Sequence, residues 1–82
     1  MHRGYIAIIS AVLEASLEGA IKTAIMHRAN LDSRQFNTYS EFLRERNLLE
    51  TTDNNTRYKT TERGLSFLKN VHSMKNLLTK EK

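Results

Sequence analysis

The sequence predicts a mostly α-helical domain with a small β-hairpin: three helices, a two-stranded wing, and a long C-terminal helix. Three observations predict it. Apolar residues recur at helical spacing in three segments before residue 48. Around Asp53-Asn54-Asn55 the period changes from 3.6 to 2, as in a hairpin. After Thr61 the helical period returns, with Phe67, Val71, Met74 and Leu78 at four-three-four spacing. At 82 residues the chain makes one domain, its winged part over 1–64 and its last helix over 61–80.

The first helix is predicted over 5–17. Ile6, Ile9, Leu13 and Leu17 form one stripe, flanked by Ile8 and Val12, while Glu14 and Glu18 point away. Gly19 ends it, as a glycine just past a helix commonly does. A short second helix over 21–28 places Ile21, Ile25 and Met26 inward. Lys22 and Thr23 stand at its N-terminus, where a free N–H and a lysine suit a phosphate. Asn30 and Leu31 turn into the third helix, over 32–47, and so short a link fits a helix-turn-helix.

That third helix carries Phe36, Tyr39, Phe42 and Leu43 on its inner stripe and Arg34, Asn37, Thr38, Glu41 and Arg44 on the other. Asp32 or Ser33 caps its start, and Asn47 marks its end. In the wing, Leu49 and Thr51, then Tyr58 and Thr60, alternate with polar neighbours. Arg57 and Lys59 therefore share one side of the second strand, available to phosphates or simply solvated. Thr61 caps the last helix, which resembles a coiled-coil seam of Phe67, Val71, Met74 and Leu78. Its first turns pack on the domain. Beyond His72 so small a core offers no place for it, and a homodimer follows; the competing reading folds this helix back on its own core.

Composition narrows the function. A chain of this size buries about 60–65% of its unfolded surface, so its core is small. With no cysteine, disulfides, thiolate zinc sites and cysteine nucleophiles are excluded. The net charge is +4, and it is unevenly placed: residues 1–49 hold six Lys/Arg against five Asp/Glu, residues 50–82 seven against four. This is mild support for a polyanionic partner. The apolar run from Tyr5 to Leu13 is far shorter than the ~20 residues that span a bilayer, so a cytoplasmic protein with no membrane contact is expected.

No catalytic chemistry assembles. His2, His27 and His72 are dispersed, and none has a metal-ligand spacing to another histidine or carboxylate. Glu14 with Glu18, and Glu41 with Glu45, stand four apart, which on exposed faces usually means solvation. Glycines occur only at 4, 19 and 64, so no phosphate-cradling loop is present. The expectation is a non-enzyme without metal or cofactor.

Three stretches then carry a resemblance. They are Glu18-Gly19-Ala20-Ile21-Lys22-Thr23-Ala24-Ile25-Met26 running into Ala29-Asn30-Leu31, then Tyr39 with Phe42-Leu43 and Leu48-Leu49, and Tyr58-Lys59-Thr60-Thr61-Glu62-Arg63-Gly64 before Phe67-Leu68. The last matches a pattern of tyrosine, any residue, an aliphatic, threonine, any residue, a base and glycine. Over about residues 5–72 the chain resembles the winged helix-turn-helix DNA-binding domains of small archaeal regulators. Among them it looks most like dimeric, chromatin-type proteins whose C-terminal helix forms an antiparallel coiled coil. Two positions depart from the pattern: Thr60 replaces an aliphatic and Ser40 a leucine, and both are expected to thin the core.

The resemblance implies double-stranded DNA binding by a homodimeric regulator or architectural protein, with the third helix in the major groove and the wing on the backbone. Carried onto this chain, the base-reading candidates are Ser33, Arg34, Gln35, Asn37 and Thr38. Arg34 suits guanine, Asn37 or Gln35 adenine, and Glu41 a cytosine amine. Lys22, Thr23, Arg57 and Lys59 become backbone contacts, and the wing tip Asn54 and Asn55 approaches a groove. Phe36, Tyr39 and Phe42 are core. The alternative function is a winged helix used for protein contacts, favoured by the modest charge and the acidic residues of the third helix.

Overall fold

A computed structural model describes residues 4–79. The order is α1 (Tyr5–Ala15), β1 (Ala20–Ile21), α2 (Lys22–Ala29), α3 (Ser33–Glu45), β2 (Leu49–Thr52), β3 (Arg57–Thr60) and α4 (Glu62–Thr79). The core lies where α1, α2, α3 and the sheet meet, and Val12, Leu13, Ile25, Phe36, Leu43 and Leu49 are its largest deeply buried apolar residues. Phe36 is fixed there by an edge-on contact with Tyr58, ring centroids 5.2 Å apart.

Helix ends are set by local chemistry. The α1 helix stops at Ala15, two residues before the expected end, because the Ser16 hydroxyl donates to the Val12 carbonyl at 2.8 Å and the chain turns. Leu17 is left 38% exposed, and Ile6, also expected on the core stripe, 49%. Gly19, at φ +90°, takes the left-handed conformation that closes the turn. Asn30 and Asn47 end α2 and α3 in the same conformation, at φ 58° and 60°. After each, a backbone N–H reaches back five residues: Leu31 to the Met26 carbonyl and Leu48 to that of Leu43, both at 2.9 Å.

The sheet has a strand that the sequence pattern hid. Its order is β1-β3-β2, antiparallel throughout, with Ala20 opposite Tyr58 and Ile21 opposite Arg57. Two residues are too short to show a period of 2. Ile21 therefore stands in an edge strand, 45% exposed, rather than inside α2. The hairpin itself is as expected, with Leu49 opposite Thr60, Glu50 opposite Lys59 and Thr51 opposite Tyr58.

Thr60 does not thin the core as expected. It is buried, its hydroxyl donates to the Leu13 carbonyl at 2.6 Å, and its N–H donates to the Ser16 carbonyl at 3.0 Å. One threonine thus ties the end of the sheet to the end of α1, which an aliphatic side chain cannot do. Ser40 is also buried, with its hydroxyl 3.3 Å from the Asn37 carbonyl. Thr61 caps α4 by accepting from the Gly64 N–H at 3.0 Å, while its own hydroxyl donates to the Asn47 carbonyl at 2.6 Å.

The α4 helix divides at His72. Leu68 and Val71 are buried against the domain and Phe67 is half-buried. From His72 to Leu78 every residue is exposed, including Met74, Leu77 and Leu78. Of the predicted seam, Val71 belongs to the domain, whereas Met74 and Leu78 stand free. Among the described residues no helix is long and apolar enough to cross a membrane.

Candidate nucleic-acid interface

The α3 helix is the most amphipathic segment of the chain. Phe36, Ser40 and Leu43 are buried on one side, and Ser33, Arg34, Gln35, Asn37, Thr38, Glu41, Arg44 and Glu45 are exposed. Asp32 rather than Ser33 is the cap. Its carboxylate accepts from the Gln35 N–H at 2.8 Å, and the Gln35 Oε1 accepts from the Asp32 N–H at 3.0 Å, a reciprocal capping box. The capping box therefore fixes the first turn, the end where the family resemblance implies base reading.

The six base-reading candidates thus lie together on the free face, but their hydrogen-bonding capacity differs. Arg34, Asn37 and Glu41 have no side-chain partner among the described residues. The Thr38 hydroxyl donates to the Arg34 carbonyl at 3.1 Å. Phe42, expected in the core, is 38% exposed, and the Arg46 guanidinium covers its ring at 3.8 Å from the centroid while donating to the Phe42 carbonyl. Arg46 was not among the sequence candidates. Its spacing of four from Phe42, one helical turn, was the available signal.

The flanking candidates are placed by α2 and the wing. Lys22 is the first residue of α2, half-buried, with its ammonium 5.6 Å from the centre of the Phe36 ring; Thr23 beside it is exposed. Arg57 and Lys59 are both exposed on β3. Lys59 faces Glu50 across the strands, and the Arg57 Nε lies 3.6 Å from the Asp53 carboxylate.

At the wing tip, Asp53, Asn54 and Asn55 are three consecutive left-handed residues, at φ 52°, 59° and 66°. Asn and Asp tolerate this region better than other side chains. Thr51 donates to the Asn55 side-chain oxygen at 2.7 Å and Thr56 to the Asp53 carbonyl at 2.6 Å, so the tip is braced from within. Asn54 lies at its centre, exposed like Asp53 and Asn55 on either side. No group of three or more His, Asp or Glu among the described residues is placed to hold a metal ion.

Three helices with a tight α2–α3 turn, followed by a hairpin packed on the recognition-type helix, define the architecture of a winged helix-turn-helix. The chain belongs to the winged helix-turn-helix family, whose model matches residues 2–79. Among solved structures it is similar to Sso10a-2, described as a DNA-binding protein from Sulfolobus solfataricus. The two are 19% identical with a TM-score of 0.78, over 92% of this chain and 81% of that one. At that identity the likeness is one of fold. No curated protein matches the chain.

Proposed function

We propose that this protein binds double-stranded DNA as a homodimer, with α3 in the major groove and the wing against the backbone, as a transcription regulator or architectural protein. The observation that carries the reading is the free face of α3. Guanidinium, amide, hydroxyl and carboxylate groups stand exposed on a helix whose other side is locked by Phe36, Ser40 and Leu43. Lys22, Thr23, Arg57 and Lys59 supply the phosphate contacts that fix its register. Family membership and the description of Sso10a-2 as DNA-binding support the same reading.

Dimerisation is proposed through α4. Met74, Leu77 and Leu78 are 58%, 76% and 79% exposed, on a helix segment that its own domain does not cover. An open groove of about 500 Å³ beside it is lined by Glu14, Leu17, Leu65, Leu68 and His72. A second copy would cover this apolar surface. One observation favours protein binding instead: within α3, Arg34 and Arg44 are balanced by Glu41 and Glu45, so the helix itself carries no excess positive charge.

The test is fluorescence anisotropy of labelled duplex DNA titrated with protein at several salt concentrations. Binding that weakens as salt rises is expected. Preferential retention of some genomic fragments identifies a regulator, and equal retention an architectural protein. No binding at low salt overturns the DNA reading and leaves a protein partner of α4.

A further inference from the structure

We infer that α3 reads a polar base sequence: a guanine at one end of its footprint and an amine-bearing base, cytosine or adenine, about three base pairs further on. This rests on the DNA-binding reading above. Arg34, Thr38, Glu41 and Glu45 are spaced four, three and four residues apart, which at 3.6 residues per turn aligns them in one row along the helix. The buried Phe36, Ser40 and Leu43 occupy the opposite side, so this row is the outermost line of the helix.

The row changes character along its length. At its N-terminal end Arg34 has only N–H groups to offer. Gln35 beside it is turned into a donor as well, because the capping box commits its Oε1 to the Asp32 N–H and leaves the amide NH2 free. Bidentate adenine reading needs both the oxygen and the NH2 of an amide, so Gln35 is unsuited to it while the cap holds. Asn37, with both groups free, lies on the other flank. Further along, the Thr38 proton is spent on the Arg34 carbonyl, which leaves its oxygen as an acceptor. Glu41 and Glu45 are acceptors only, the Glu45 carboxylate lying 3.9 Å from the Arg46 guanidinium while that of Glu41 is free among the described residues.

Donors thus precede acceptors. Guanine presents two acceptors in the major groove, whereas cytosine and adenine present an amine. A carboxylate set against a guanine or thymine oxygen is repelled, so the acidic residues discriminate at one position while Arg34 selects at another. The seven residue steps from Arg34 to Glu41 span roughly 10 Å of helix axis. That corresponds to about three base-pair steps of ~3.4 Å.

The experiment is selection from a random duplex pool by the full chain, repeated with Arg34→Ala and Glu41→Ala. Both residues are exposed, and thermal melts check that each variant is folded. Wild-type protein is expected to enrich a guanine and an amine-bearing base about three positions apart. Arg34→Ala loses the guanine preference by about tenfold and keeps the other; Glu41→Ala, which removes the acceptor, does the reverse. Salt-sensitive binding without positional enrichment overturns this inference alone. So does a Glu41→Ala motif identical to the wild type, or guanine enriched opposite Glu41. Absence of any duplex binding at low salt overturns the DNA reading itself.

Discussion

Gly64 shows how one residue governs the joint between sheet and last helix. A Cβ at this position would collide with the Leu48 carbonyl oxygen, a backbone atom that cannot swing aside, and would press on the Thr60 methyl. Gly64→Ala is expected to destabilise the fold by about 1–3 kcal/mol, as overpacking does. A urea melt with an unchanged slope and a lower midpoint would show it. Thr60→Val keeps the shape but removes the bond to the Leu13 carbonyl, and should cost about 1 kcal/mol in the same measurement. Asp53 bears on the proposed DNA contact through its ion pair with Arg57. It draws the Arg57 guanidinium toward the wing tip, so Asp53→Asn frees that cation and removes a negative charge. A duplex affinity higher by about two- to fivefold is expected at low salt, fading as salt screens the pair. Unchanged affinity would mean that Arg57 does not approach phosphate.

At the scale of elements, α3 and α4 ask different questions of the sequence. The α3 period, a cap at Asp32 or Ser33 and the stop at Asn47 are legible because each is a local device; that Asp32 is the cap, with Gln35 reciprocating, and that Asn47 is left-handed are findings of the structure. The α4 period was legible too, but its partner was not. The four-three-four spacing reads the same whether a helix packs on its own domain or on another chain. The fold divides the stripe, assigning Val71 to the core and leaving Met74, Leu77 and Leu78 outside. Leu77→Ser is therefore expected to weaken self-association with little change in the intramolecular core. Sedimentation velocity over a concentration series would test this. A variant that remained as dimeric as the parent would place the interface elsewhere.

For the molecule as a whole, α2, β3 and α4 each carry a net charge of +2 while α3 carries none. On the proposed reading, phosphate attraction belongs to the flanks and base discrimination to the helix between them. Removing one flank cation tests that division. Lys59→Ala should weaken binding to every duplex alike and reduce the slope of log affinity against log salt by about one per protomer.

The helices, the hairpin, the turns between them and the polar face of α3 are readable along the chain. These follow from periodicity, from caps and from turn residues acting within a few positions of one another. The remainder depends on how the elements pack. Strand β1 exists because β3 offers it an edge, and two residues carry no period of their own. The worth of Thr60 depends on a carbonyl 47 residues away in sequence. Ile6, Leu17 and Phe42 are apolar at core spacing yet exposed, because so small a core has no room for every residue on the stripe. Local pattern states what a segment prefers; which surfaces meet is settled only when the segments compete for the same core.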